Sequence, residues 1–260
     1  MELYESVLSA IKTEYDTLRV LKESPRGVVC VVRHRKSGTR YLFRRYAGSG
    51  EVYRKLLPVL CPHLPQIMEA AEHGGHTAVI EEYVQGDTLA EILRGGTLPE
   101  NEARTVAMQL CAALYVLHSM GAVHRDVKPE NVILRGNEAV LIDFDAARIY
   151  KDECESDTQV LGTMGFAAPE QYGIVQSDAR ADIFSLGVLL NIMLTGRHPS
   201  RAMAAGHMGR IVRKCTMTAP EQLKNLMDRA ILSHVKELGL ESLTPRHHIQ
   251  LQDLLSPKST

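Results

Sequence analysis

The chain has 260 residues, with 30 Lys and Arg against 31 Asp and Glu, a formal charge of -1 and 45% apolar residues. That near-neutral balance gives no overall field toward nucleic acid or an anionic membrane, and the composition excludes disordered, collagen-like and coiled-coil classes. A chain of this length buries roughly 73% of its extended surface, enough for a sizeable core. Five cysteines, Cys30, Cys61, Cys111, Cys154 and Cys215, form no CxxC pair, which fits separate reduced thiols and a cytoplasmic setting better than a disulfide frame or a zinc site. The acids among the first residues predict no signal peptide. The longest apolar stretch, Leu186 to Leu194, is too short to span a bilayer and contains Asn191. A soluble protein without a nucleic-acid partner or membrane segment is the expectation.

Leu3, Val7, Ile11 and Tyr15 recur four residues apart and place an apolar stripe on an N-terminal helix. From Tyr15 the β-branched run VVCVVRH, the turn KSG and the segment TRYLFRRY predict strands joined by a hairpin. EVYRKLLPVL, after Gly48-Ser49-Gly50, reads as a helix up to Pro58, and HTAVIEEYV as a further strand ending near Gly86. Beyond a connecting segment at 82–87, Leu110, Ala113, Leu114 and Leu117 fall on one face of a helix running from Pro99-Glu100 to about Gly121. Short strands VIL and AVLID follow, then a stretch without clear period over 146–166 and an apolar helix through ADIFSLGVLLNIML. The organisation expected is α+β and bilobal. It comprises an N-terminal helix over 1–14, a small antiparallel β-rich lobe over 15–84, a larger helical lobe over 85–223 and a divergent helical tail over 224–260.

His124-Arg125-Asp126-Val127-Lys128-Pro129-Glu130-Asn131 stands between the long helix and the VIL strand, and Asp143-Phe144-Asp145 follows the strand LID. Two acids and an amide delivered by adjacent strand ends suit a magnesium-phosphate site, because Mg²⁺ takes hard oxygen ligands and shares its shell with phosphates. Downstream come Ala168-Pro169-Glu170 and Asp182-Ile183-Phe184-Ser185-Leu186-Gly187. A single tripeptide says little, but the ordered set HRDxKxxN, a DFG-like motif, APE and DxxSxG is specific. Over about Tyr15 to Pro220 the chain resembles the eukaryotic-type serine/threonine protein kinases that also occur in bacteria.

The resemblance implies ATP and Mg²⁺ as the cosubstrate and cofactor and a protein Ser or Thr hydroxyl as acceptor. Asp126 would accept or orient the hydroxyl proton, Lys128 would neutralise the transferred phosphoryl, and Asn131 and Asp143 would hold magnesium. At the connector Glu82 and Val84 would offer backbone groups to adenine, with Leu21, Val29, Leu42 and Ile133 sandwiching the base; each of these apolar residues reads equally as plain core. Arg125 before Asp126 resembles kinases whose activation segment is ordered by phosphorylation. Ser156, Thr158 and Thr163 are the hydroxyls within its reach; Ser156 and Thr158 read equally as ordinary loop residues, and Thr163 reads as a structural partner of Asp126 and Lys128.

Several positions depart from the family. Lys22, Ser24 and Gly27 occupy the three glycine places of the phosphate loop, so only the last glycine remains. Arg44 replaces the phosphate-binding Lys, a change that alters reach and geometry. Asp145 replaces the Gly that lets the DFG motif flip, and Leu223 stands near the place of the Arg that pairs with Glu170. Strand alternation puts Leu42 and Arg44 on one face, and the resemblance at the connector implies that Glu81, directly before Glu82, is the residue at the back of the nucleotide pocket. A carboxylate there needs a cation, and Arg44 is the candidate, with Glu51 as competing or third partner. The alternative is a register that turns Glu81 to solvent. Two functions follow: an active serine/threonine kinase, or a pseudokinase serving as a nucleotide-binding or scaffold module. Small-molecule phosphotransferases of related fold typically lack an APE-type segment.

Overall fold

A computed structural model describes residues 2–149 and 179–216 of the chain. Ser156, Thr158, Thr163, the Ala168-Pro169-Glu170 tripeptide, Leu223 and the tail over 224–260 lie outside the described residues, as does Cys154.

Helix α1 (Glu2–Glu14) leads into a five-stranded antiparallel sheet of β1 (Tyr15–Ser24), β2 (Gly27–His34), β3 (Arg40–Ala47), β4 (Ile67–His73) and β5 (His76–Glu82), ordered β1-β2-β3-β5-β4. The short helix α2 (Glu51–Leu56) lies between β3 and β4 and stops before Pro58, whose ring cannot sit inside a helix. The β1–β2 turn is two residues long, and Gly27 is fixed by packing: a Cβ there would lie 2.2 Å from the Arg45 carbonyl oxygen. The remaining glycine of the loop thus serves the approach of β2 to β3.

Period-two alternation divides the sheet into two faces. Cys30, Val32, Phe43, Ala71, Ala78 and Ile80 face outward and are covered by Tyr4 and Val7 of α1, with Leu8 and Ile11 beside them. The apolar stripe of α1 is therefore 4, 7, 8 and 11; Leu3 is exposed and Tyr15 already belongs to β1. These four positions follow the i, i+3, i+4, i+7 spacing of one helical face, which the strict four-residue spacing misses.

The other part of the molecule is built on helices. After β6 (Asp87–Thr88) and α3 (Leu89–Leu93), opened by a capping box between Thr88 and Glu91, comes α4 (Glu100–Ser119). Its residues Leu110, Ala113, Leu114 and Leu117 are fully buried, as the periodicity predicts. They share one core with Leu189 and Met193 of α5 (Ala179–Thr195) and with Val132 and Leu141 of the small strands. Those strands are β7 (Ala122–Val123), β8 (Val132–Arg135), β9 (Glu138–Leu141) and β10 (Arg148–Ile149), arranged as β6-β8-β9 and β10-β7. Asn191 sits inside apolar α5 because its amide is fully used: it donates to Thr195, Arg197 and Ala202 and accepts from the Ala204 N–H. Helix α6 (Gly206–Cys215) packs on α5, where Gly187 leaves room for Cys215. No helix among the described residues is long and apolar enough to cross a membrane.

Candidate active site

Strands β3 and β5 build the first part of the site. Their register sets Leu42 opposite Glu81 and Arg44 opposite Val79, and alternation turns Leu42, Arg44 and Glu81 to the inner face. Val29 and Val31 of β2 join them opposite Arg44 and Leu42. Arg44 Nε and Nη2 donate to Glu81 Oε1 at 3.0 and 2.8 Å, and the two side chains are 3% and 2% exposed. Burial pushes Glu81 up from the ordinary carboxylate range, and the Arg44 charge opposes it. On the arginine, burial acts to lower its pKa, but Glu81, together with Asp145 and Asp143, raises it well above the ordinary value. Arg44 is a fixed cation. The expected pairing is present, and Glu81 does not face solvent.

The second part follows β9, where the chain turns through Asp143-Phe144-Asp145. Arg44 Nη1 donates to Asp143 Oδ1 at 2.8 Å and to Asp145 Oδ1 at 2.6 Å. Partial burial would raise the Asp143 carboxyl, but the Arg44 guanidinium holds it below its ordinary value. Asp143 has φ 69°, a left-handed conformation that needs such contacts to persist. Tyr53 of α2 donates its hydroxyl to Asp145 Oδ1 at 3.0 Å and accepts the Phe144 N–H at 3.2 Å. The Phe144 ring is held edge-on between Tyr53 and His124, with centroids 5.6 and 5.4 Å away.

The third part is the segment between α4 and β8. Asp182, at the start of α5 and fully buried, accepts hydrogen bonds from the backbone N–H groups of His124 and Arg125 at 2.8 and 2.7 Å and from His118 Nε2 at 2.8 Å. These bonds anchor Arg125 at φ 70°. Lys128 Nζ meets Asp126 Oδ2 at 2.6 Å, and Asn131 Nδ2 donates to Asp126 O and Oδ2 at 2.9 Å each. The Asn131 carbonyl accepts the Ile142 N–H at 2.9 Å, which ties this segment to the one carrying Asp143. His124 Nδ1 accepts the Asp126 N–H at 3.3 Å and Nε2 lies 3.2 Å from the Ile142 carbonyl, the pattern of a neutral ring protonated on Nε2. Burial lowers its pKa below the ordinary histidine value.

The connector is fastened at both ends. Glu82 pairs with Arg135 at 2.6 Å, and Arg135 also bonds Glu138 and the Pro62 carbonyl. A Cβ on Gly86 would lie 2.2 Å from the Leu134 carbonyl oxygen and 2.9 Å from the Ile133 side chain, so only glycine lets the chain cross this close to β8. Val84 is buried. Leu21 falls at the irregularity of β1 between Val20 and Lys22 and is 44% exposed.

The structure therefore brings Asp126, Lys128 and Asn131 together, links them to Asp143, and sets Val29, Leu42 and Arg44 on one face. Glu51 is the exception. It opens α2 and uses its backbone N–H on Ser49, and among the described residues no hydrogen bond or ion pair joins it to Arg44. The expectation of Glu51 as a partner of Arg44 is corrected: α2 turns Tyr53 rather than Glu51 toward Arg44, its ring 5.5 Å from the guanidinium, and Glu81 supplies the carboxylate from the neighbouring strand. Sequence reasoning also missed Tyr53 and the contacts of Asp145. The available signal was an acid at a glycine position two residues from Asp143, facing an arginine.

Among the described residues no three His, Cys, Asp or Glu side chains form a metal cage. The donor chemistry nonetheless fits Mg²⁺. One guanidinium against the carboxylates of Glu81, Asp143 and Asp145 leaves a formal surplus of two negative charges, and Asp143 and Asn131 carry the hard oxygens that suit an ion completing its shell with phosphates and water.

The sequence profile of the protein kinase domain matches residues 46–248. The chain is 35% identical over 174 residues to the serine/threonine-protein kinase pkn2 of Myxococcus xanthus, covering 64% of this chain and 20% of that protein. It is 34% identical over 169 residues to the serine/threonine-protein kinase PknA of a Nostoc species, covering 61% and 30%. To the serine/threonine-protein kinase PknB of Mycolicibacterium smegmatis it is 40% identical over 126 residues, covering 46% and 20%. It thus spans a third or less of the length of these relatives. With well over half of its residues matched by that profile, and with an antiparallel sheet joined to a helical body as the family requires, the chain belongs to the protein kinase domain family.

Proposed function

We propose that the chain is a serine/threonine protein kinase transferring the γ-phosphoryl group of ATP to protein hydroxyls. The observation that carries this reading is the linked set Asp126, Lys128, Asn131 and Asp143, held by buried Asp182 on one side and by Arg44 on the other. Asp126 orients the acceptor hydroxyl and takes its proton, while Lys128, already beside Asp126, neutralises charge on the phosphoryl in flight. Asp143 and Asn131 hold Mg²⁺, which when bound screens the phosphate charge. Arg44 supplies the fixed cation on the phosphate side, and Val29, Leu42 and Ile133, with Leu21 at the rim, sandwich the base against the connector residues Glu82 and Val84. Ser156 and Thr158 are candidate phosphoacceptors of the chain itself. The four described cysteines are free thiols, which supports the cytoplasm as the compartment.

The test is incubation of the purified chain with γ-labelled ATP, Mg²⁺ and a general protein substrate, followed by phosphoamino-acid analysis. Phosphoserine or phosphothreonine is the expected product. Asp126→Asn should reduce transfer by about 10²-fold or more while ATP affinity stays near that of the native chain. Dominant phosphotyrosine, or undiminished transfer by Asp126→Asn, would overturn the assignment. A folded chain that binds ATP without transferring label would be a nucleotide-binding module instead.

A further inference from the structure

Arg44 divides its guanidinium between two elements. Nε and Nη2 are committed to Glu81 within the sheet. Nη1 alone reaches across, to Asp143 Oδ1 at 2.8 Å and Asp145 Oδ1 at 2.6 Å. With 3% of the side chain exposed, the guanidinium is almost wholly withdrawn from water, and a buried guanidinium edge without an acceptor is costly. If Asp143 were its only acceptor, Arg44 and a divalent cation would compete for the same carboxylate. Asp145 gives that edge a second acceptor. Its Oδ1 lies on the same Nη1 and is also the acceptor for the Tyr53 hydroxyl, itself fully buried and fixed by the Phe144 N–H. Two donors, neither of them dependent on a metal, therefore hold Asp145 in place.

We propose that Asp145 is a positioning residue that satisfies the Nη1 edge of Arg44 and so frees Asp143 for the divalent cation. This rests on the reading above that Asp143 holds Mg²⁺. The acid at a glycine place is then the complement of the arginine at a lysine place: a lysine tip has no second fork edge to satisfy, whereas Arg44 has one that faces the metal ligand. Tyr53 is the brace: it donates to the same Asp145 oxygen as Arg44, and its ring lies 5.5 Å beneath the Arg44 guanidinium.

Calorimetric titration of the full 260-residue chain with a non-hydrolysable ATP analogue, across a series of Mg²⁺ concentrations, tests this. Asp145→Asn should raise the Mg²⁺ concentration for half-maximal binding on the order of tenfold, the size expected for one charge-assisted hydrogen bond. Asp145→Glu should recover part of the shift, and Asp145→Gly should behave like Asp145→Asn should the amide variant fold poorly. In an Arg44→Met, Glu81→Met background, which removes both buried charges together, Asp145→Asn should add no further shift. An unchanged Mg²⁺ midpoint in folded Asp145→Asn would overturn the proposal. So would a shift that persists without Arg44, since Asp145 would then touch the metal itself. If the native chain binds the analogue with no Mg²⁺ dependence, the magnesium assignment of Asp143 fails, and this proposal fails with it.

Discussion

Arg44 shows how much one residue can alter while a site keeps its chemistry. The family places a lysine on this strand and pairs it with a glutamate on a neighbouring helix; here the cation is forked, and its partner Glu81 comes from the adjacent strand of the same sheet. Period-two alternation puts Leu42 and Arg44 on one face, and the resemblance at the connector sets Glu81 at the back of the same pocket; together they are why this pair was legible in the sequence, and the register of β3 and β5 bears it out. Tyr53 was not legible, because a tyrosine at helical spacing reads as core and only the folded chain shows its hydroxyl between Asp145 and the Phe144 N–H. A double-mutant cycle on ATP affinity checks the pair. Arg44→Lys and Glu81→Met should each weaken binding, the first because one ammonium with three donors cannot replace the four hydrogen bonds that the guanidinium makes from three nitrogens, and the double variant should recover part of the loss. The coupling should be about 1 kcal/mol or more, as befits groups in direct contact. Glu51→Gln should leave affinity unchanged. Strictly additive losses, or an effect of Glu51→Gln matching that of Glu81→Met, would contradict the assignment.

Among the elements, those with strong patterns were legible and those with mixed ones were not. The hairpin β2–β3, the face of α4 and apolar α5 follow from β-branched runs and 3.6-residue spacing. Strand β4 escaped because Glu69, Ala70, Ala71 and Glu72 are helix formers by preference; pairing with β5 and burial of Ile67, Ala70 and Ala71 override that preference. The segment carrying Asp126 has little regular structure, and its order comes from outside, through Asp182 of α5 and through the His124 ring. That dependence has a pH consequence. His124 has a folded pKa below its ordinary value because it is buried, so the unfolded chain takes up the proton first, and protonation of Nδ1 removes the acceptor for the Asp126 N–H. Its contribution to stability is full above about pH 6.5 and is lost as pH falls through the folded value. Thermal denaturation of the native chain and of His124→Asn between pH 5 and 8 should show the native advantage shrinking below about pH 6.5. An advantage that grows on acidification would contradict a neutral buried His124. Asp182 behaves as the acid counterpart: burial would raise its carboxyl, but His118 and the backbone donors hold it below the ordinary range. Its contribution is present above about pH 4 and lost on further acidification.

At the scale of the molecule, the profile of the family begins to match at residue 46, beyond Arg44 and beyond the first two strands. The divergence is concentrated in the first three strands of the sheet, while the segment of Asp126 and the anchoring helix α5 keep the family pattern. The fold class was legible because ordered motifs over a long stretch constrain it strongly; the adaptation around Arg44 became visible only once β3, β5, α2 and the Asp143 segment met in space. Arg44 now ties the sheet to the helical part through Asp143 and Asp145, as Arg135 ties it through Glu82. Mg²⁺ and ATP bound between these parts should stabilise the whole molecule, since a ligand at 100 times its Kd adds about 2.7 kcal/mol, or roughly 5 °C or more for a chain of this size. The central claim is that Arg44 and Asp143 belong to one working nucleotide-magnesium site. Thermal denaturation with ATP, with Mg²⁺ and with both, for the native chain and for Asp143→Asn, tests it most directly. A rise in melting temperature that requires both ligands together and is largely lost in Asp143→Asn is the expected result; a native chain whose melting temperature shows no Mg²⁺-dependent response to ATP would contradict it.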